Sequence, residues 1–441
     1  MNDIDTDILL IQVCDNRRGY GNNKKLYECQ LHDKDENEIW ILIKIFLLKE
    51  VWAMEKNETI FVPNIHTMTL TKKLTGKEKL SLQEILYKKT RNGYGHTYSK
   101  RGQVVSTILS DGGIGITLYH KRDSKGFEHN RIYLKVNLYN ASFDRSRLKT
   151  FENTDENVSL LSQSIDELLG CVFPPGLDTL NCYKIDRIDL CCDVRLTKEL
   201  CEMYMRFSKG GYTPGQFNKV YRFDEVSKRK KVDPKRIVLD GDSMQIIVYD
   251  KEHQLKASGI EDLDSDCAKG FIRFEMPLNG KWLKRKIKER NKRKNDIHTT
   301  LDVFTLLREE SGEWFFKYFN KVFQEGHYRT LKKAREIVES SGFHRKTKKR
   351  MLRVLELCSK HLSLDVAFGH MLEDGEIHHK DILPLLKHFG ELKLNPITIP
   401  VRWKEENLPS VCELIATPKT ESEDKKKWFD SIYHLIEKDF E

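Results

Sequence analysis

Three segments of the chain repeat one pattern: "RIDLCCDV" (Arg187–Val194), "MQIIVYDK" (Met244–Lys251) and "FIRFEMPL" (Phe271–Leu278). Side chains alternate across a strand, so apolar residues at every second position make one apolar face. That face carries Ile188, Leu190, Cys192 and Val194 in the first segment. It carries Met244, Ile246 and Val248 in the second, and Ile272, Phe274, Met276 and Leu278 in the third. The opposite faces carry Arg187, Asp189, Cys191 and Asp193; Gln245, Ile247, Tyr249 and Lys251; and Phe271, Arg273 and Glu275. Strands that are apolar on one side only need a cover on that side. Helical spacings nearby, such as Leu196, Leu200, Met203 and Phe207, supply one. The pattern predicts an α+β fold, an antiparallel-rich sheet with helices on one face.

Other elements follow the same logic. "GIGITLYHK" and "RIYLKVNLYN" read as strands, and Leu161, Ile165 and Leu168 mark an amphipathic helix. "KRIVLDGDSMQIIVYDK" reads as a hairpin turning at Asp240-Gly241. Pro277 predicts that the Phe271 strand ends there or lies at a sheet edge. From about Thr299 the pattern is helical, with a break at Ser341-Gly342. The expected organisation is a strand-rich N-terminal region of unclear role (1–90), a sheet-based domain (91–295), a helical DNA-binding or accessory domain (296–416) and a charged tail (417–441). No internal repeat is legible.

With 441 residues the chain has room for several cores, and its net charge of +9 is clustered. "KRKK" (Lys228–Lys231), "KWLKRKIKERNKRK" (Lys281–Lys294) and "HRKTKKRMLR" (His344–Arg353) are the dense runs. Together they point to a polyanion partner, although each alone suits a solvated helix face. The longest apolar run, "IWILIKIFLL" (Ile39–Leu48), is too short to span a bilayer and reads as a buried strand. The acidic start "MNDIDTDILL" lacks a basic n-region, so no secretory signal is expected. The ten cysteines form no CxxC pair, which suits a reduced, cytoplasmic protein. HExxH, a His-apolar-His triplet and a Walker A motif are all absent from the sequence.

If the three strands are neighbours, their polar faces gather a chemically suggestive set. Asp189, Asp193 and Glu275 are hard oxygen donors suited to Mg²⁺ or Mn²⁺. Such an ion polarises a phosphodiester. Tyr249 is then a nucleophile for phosphorus, and Lys251 on the same face favours its phenolate. Arg187 and Arg273 suit bidentate phosphate contacts. For any strand alone the ordinary reading is a wet sheet face with cross-strand pairs; the joint pattern carries the case.

"RIDLCCDV", "IIVYDKEHQ" and "FIRFEMPL", in this order and spacing, resemble the rolling-circle replication initiators of the replication initiation factor (Rep_trans) family. That family includes initiators of small plasmids and relaxases of conjugative elements. The resemblance spans about Arg131 to Leu278, with a looser echo in "LKLNPITIPVRW" (Leu392–Trp403). It implies a nicking-joining domain, comparable to the HUH/RRM-like nucleases but without their histidine motif. It implies origin-specific, metal-dependent cleavage of one DNA strand through a 5′-phosphotyrosine, leaving a 3′-hydroxyl primer. On this chain the tyrosine falls on Tyr249 with Lys251 beside it, and the metal acids on Glu275 and on Asp189 or Asp193. The implied partners are single-stranded or supercoiled origin DNA, a host helicase and a second copy of the chain.

Further basic elements fit DNA. Lys284, Arg285 and Lys288 follow the Glu275 strand directly. Arg345, Lys348, Lys349 and Arg353 lie on the second helix of a potential helix-turn-helix, a pattern that an ordinary αα-hairpin shares. "TRNGYGHTYSKRGQ" (Thr90–Gln103) has the composition of a base-stacking segment and equally of a flexible loop. Three competing functions remain at this point: a conjugative relaxase with the same chemistry, a palm-type primase or polymerase, and a non-enzymatic DNA-binding regulator.

Overall fold

The computed structural model describes residues 11–12, 26–27, 61–143, 145–224, 229–231, 233, 235–259 and 267–416. The predicted strand at Ile39–Leu48 and the charged tail lie outside these residues. The chain falls into two compact units, Met1–Ile60 and Phe61–Glu441. In the first, Ile11–Gln12 pairs antiparallel with Leu26–Tyr27. The segment Asn64–Arg91, read above as part of the N-terminal region, belongs to the second unit.

The second unit is built on a ten-stranded sheet in which every pairing is antiparallel. Its strands are β1 (Asn64–Leu74), β2 (Thr97–Lys100), β3 (Gln103–Ser106), β4 (Ile114–Arg122), β5 (Glu128–Asn137), β6 (Lys184–Arg195), β7 (Asn218–Lys219), β8 (Arg236–Asp240), β9 (Gln245–Asp250) and β10 (Phe271–Asn279). They lie in the order β2-β3-β4-β5-β1-β6-β10-β9-β8-β7. The helices among these strands are α1 (Gly76–Arg91), α2 (Leu138–Ser142), α3 (Asp155–Gly170), α4 (Lys198–Gly210) and α5 (Lys251–Ala257). After the sheet come α6 (Gly280–Arg293), α7 (Asp302–Phe323), α8 (Leu331–Ser340), α9 (Arg345–His361), α10 (Leu364–Glu373), α11 (His379–Glu391) and α12 (Val411–Ala416). The α+β class and the helical C-terminal region match the expectation.

The order contains a duplication. β1 is followed by α1 and a meander, β2 to β5, whose last strand returns beside β1. β6 is followed by α4 and a meander, β7 to β10, whose last strand returns beside β6. The halves join through the antiparallel pair β1–β6. This repeat is topological and leaves no trace in the sequence, because it requires only alternation and turns, which many residues satisfy.

Local chemistry sets the element ends. Thr75 and Glu78 close a capping box at the start of α1, and Lys88, Lys89 and Arg91 lie in its last turn, where positive charge suits the helix dipole. Thr197 caps α4 through the Leu200 amide. Gly270 enters β10 at φ +75°, where a Cβ would stand 2.0 Å from the Leu196 carbonyl oxygen. The expectation that Pro277 ends a strand or marks an edge is corrected. β10 runs on to Asn279 between β6 and β9. The ladder to β9 has already stopped at Glu275–Ile247, apart from the bridge Met244–Leu278.

The apolar faces pack under helices. Phe274 meets Phe319 and Phe323 of α7, and Trp282 of α6 meets Trp314 edge-on at 4.7 Å. Truncating Phe274, fully buried, would cost about 3–5 kcal/mol. Within "LKLNPITIPVRW" residues 394–399 form a buried strap: Leu394, Ile397 and Ile399 are core residues, and Asn395 donates to the Phe323 carbonyl at 2.8 Å. Among the described residues no helix is long and apolar enough to cross a membrane.

Candidate active site

The register brings the three segments together: β10 lies between β6 and β9. Arg273 stands opposite Asp193 on one side and Tyr249 on the other; Glu275 stands opposite Cys191 and Ile247. Odd-numbered residues of all three strands therefore share one face. The Tyr249 hydroxyl donates to Glu275 Oε1 at 2.8 Å.

A residue that the sequence reading missed completes this contact. His66 Nδ1 lies 2.9 Å from the same Oε1. It sits on β1 at a register irregularity between Ile65 and Thr67, so the local ladder aims it at β10 across β6. The signal was faint: one histidine in "NIHTMTL", with no second histidine at motif spacing.

Asp189 accepts from Arg187 Nε at 2.6 Å and from the Thr67 hydroxyl. Asp193 is gripped by both Arg273 Nε (2.6 Å) and Nη2 (2.7 Å), and Nη2 also donates to the Leu148 carbonyl at 2.7 Å. Lys251 begins α5 rather than continuing β9, because Asp250 caps the helix through the His253 amide. Its ammonium bonds Gln254 at 2.8 Å and lies 5.8 Å from the centre of the Tyr249 ring.

Burial dominates the electrostatics. Tyr249 is 7% exposed, Arg273 1% and Glu275 7%. The reading of a wet sheet face is corrected: α5 packs on β9 and β10, and the Leu148 carbonyl reaches Arg273. Burial pushes the Tyr249 phenol well above its ordinary range; Arg273 opposes this, while Glu275 and Asp193 add to it. Burial also works against the Glu275 carboxylate. The His66 hydrogen bond and charge, Arg273 and the Tyr249 hydroxyl outweigh it and hold the group at about 2. Burial, helped by Arg273, lowers the Lys251 ammonium to about 8. Arg273 is thus a cation that favours a phenolate here.

The expected ligand set is only partly assembled. Among the described residues no three His, Cys, Asp or Glu side chains are gathered to hold a metal ion. Both Asp193 oxygens accept hydrogen bonds from Arg273. Arg273 itself is among the most deeply buried side chains of the site. Tyr249 and His66 both meet Glu275 at Oε1, which leaves Oε2 for a ligand among the described residues. One or two carboxylates suffice for Mg²⁺, which keeps several waters and accepts substrate oxygens.

The remaining cations divide. Lys284, Arg285 and Lys288 are exposed on α6. Arg345 and Lys349 are exposed on α9. Lys348 is spent on the last turn of α8, donating to the Glu339 carbonyl at 2.7 Å. Arg353 faces Glu356, Asp374 and Glu376.

No protein family and no curated protein matches the chain. Among solved structures it is similar to the rolling circle replication initiator protein from Geobacillus stearothermophilus. The identity is 14% and the TM-score 0.24, over 49% of this chain and 74% of that one. So slight a likeness leaves the function to the chemistry of the site.

Proposed function

We propose that the protein is a DNA-nicking and strand-joining enzyme that opens one strand at an origin by attack of Tyr249. The observation that carries this reading is the Glu275 oxygen that accepts both Tyr249 and His66, at 2.8 and 2.9 Å. The phenol proton already points at a carboxylate, which is the arrangement an oxygen nucleophile needs.

In the proposed step the phenol oxygen bonds to phosphorus and the P–O3′ bond breaks. The phenol proton passes to Glu275. The departing 3′ oxygen takes a proton from His66 and leaves as a hydroxyl able to prime synthesis; the 5′ phosphate stays on Tyr249. Loss of the His66 proton removes one influence that keeps Glu275 a weak base, so the two transfers support each other. Arg273 lies opposite Tyr249 and stabilises developing phenolate charge. Asp189 and Oε2 of Glu275 are the groups that would hold Mg²⁺ or Mn²⁺, whose contribution is to withdraw charge from the phosphodiester. Because Tyr249 is covered, the α5 side has to draw back as DNA enters.

Incubating the protein with single-stranded oligonucleotides and Mg²⁺ or Mn²⁺ should give a covalent adduct that maps to the peptide containing Tyr249. Tyr249→Phe should abolish the adduct, at least about 10³-fold, while DNA binding persists. An adduct on any other residue sinks the assignment. The same chemistry serves a replication initiator and a conjugative relaxase; dependence of strand transfer on a host helicase would favour the initiator. The burial of Tyr249 supports one competitor, a regulator in which the sheet is scaffold. DNA binding with no adduct at any metal concentration would decide for it.

A further inference from the structure

The half of the sheet that lacks Tyr249 has a face of its own. β1 to β5 bury Met68, Leu70, Ile116, Leu118, Ile132 and Leu134. Alternation turns the other set outward on the face that continues, through Thr67–Asp189 and Thr69–Arg187, into the Tyr249 site. Tyr133 stands between Thr71 and Thr117, and Arg131 between Lys73 and Tyr119. Lys135 is flanked by Thr69 and Gly115, which leaves the surface low beside it. Tyr119 and Tyr133 meet edge-to-face at 6.3 Å. At the sheet edge Tyr98, from the basic-aromatic segment singled out in the sequence, is 50% exposed.

The charge on this face has one sign. None of its alternating positions on β1 to β5 is an aspartate or glutamate. The nearest acid in the β4–β5 hairpin, Asp123, is tied to His129. Lys121 and Lys135 are exposed, and Arg131, Tyr119 and Tyr133 are half-buried. Aromatic rings lying among cations that pair with no acid among the described residues suit a chain that offers flat bases on one side and phosphates on the other. A duplex hides its base faces, so single-stranded DNA is the occupant.

We infer that the outer face of β1–β5 binds single-stranded DNA, with bases stacked on Tyr119 and Tyr133 and phosphates held by Lys121, Arg131 and Lys135. The track leads towards His66, the half-buried edge of the Tyr249 site. Delivery to Tyr249 rests on the nicking reading; binding to this face does not.

The test measures anisotropy of a labelled (dT)20 strand with the full chain carrying Tyr249→Phe, in EDTA, so that cleavage plays no part. Changing Tyr119 and Tyr133 together to Leu should weaken binding by about tenfold or more, since each stacked base contributes severalfold. Lys121→Gln with Arg131→Gln, which spares the rings, should weaken it further at low salt than at high salt. Unchanged affinity in both folded double variants overturns the inference. So does equal loss for a hairpin duplex, or tighter binding of (rU)20 than of (dT)20. If the ring variant loses binding while the unmutated chain forms no adduct, the face stands and the nicking reading falls. If both double variants keep their affinity while adducts form at full rate, the face fails and the nicking reading stands.

Discussion

The two halves of the sheet share a path and differ in what they do with their second face. In β6–β10 that face is filled: Asp193 and Arg273 hold each other, Tyr249 and His66 meet on Glu275, and α5 packs over β9 and β10. In β1–β5 the corresponding face keeps its cations apart and its tyrosines partly exposed. A buried charge without its partner is costly, whereas an exposed one is nearly free. One topology therefore supports a rigid, desolvated cluster on one side and an adaptable polar surface on the other. The difference lies in side chains and in α5, which stands before the last strand of one half and has no counterpart in the other.

The sharpest way to break this contrast is to remove one arginine from each half. Arg273→Ala leaves the Asp193 carboxylate without its bidentate partner and the Leu148 carbonyl without its donor. It should cost about 3–5 kcal/mol in urea unfolding. Arg131→Ala, on the fifth strand of the other half, should fall within about 0.5 kcal/mol. If the two variants cost the same, the halves do not differ in the way described. Asp193→Leu with Arg273→Met should recover much of the loss, since apolar side chains often replace buried pairs at little cost.

A second effect separates the halves by pH. Lys251 is lowered to about 8 in the folded chain, mainly by burial. In the unfolded chain an unperturbed lysine titrates near about 10.4. Between these values Lys251 holds more protons in the unfolded state, so it contributes a rise in stability of up to about 3 kcal/mol as pH rises through that window; the buried Cys191, Cys201 and Tyr249, raised by burial, act in the opposite sense. Lys251→Met should flatten the rise, and Lys135→Gln, on the exposed face, should leave it as in the unmutated chain. Thermal melts at a series of pH values read both.

Much of this contrast was hidden in the sequence for identifiable reasons. Alternation in "RIDLCCDV", "QIIVYD" and "FIRFEMPL" revealed the strands and the residues that share a face, because period two is local. The Asp240-Gly241 hairpin and the break near Ser341 were legible for the same reason. Alternation is silent on what lies above a face, so Tyr249, Arg273 and Glu275 read as wet when they are buried. It also let β9 run one residue too far, since Asp250 reads equally as a strand residue or a helix cap. His66 was invisible because its meeting with Glu275 depends on a long-range pairing and a register irregularity. The duplicated topology was invisible because its halves share no residue pattern beyond apolar alternation. Arg353 and Lys348 looked free because their partners, Glu376, Asp374 and the Glu339 carbonyl, come from other elements or from backbone.

The smallest predicted effect is the most specific to the open half. An exposed lysine that touches a phosphate adds little to affinity at moderate salt, but it fixes how many counterions are released on binding. For single strands the slope of log K against log salt changes by about 0.7 per phosphate contact. Lys135→Gln should therefore lower the slope of (dT)20 binding by about that amount, with no change in thermal stability. Arg353→Gln, whose charge is already met by Glu356, Asp374 and Glu376, should leave the slope unaltered. Should the two substitutions change the slope equally, net charge rather than the β1–β5 face would be what the strand recognises. The contrast between the halves would then be structural without being functional.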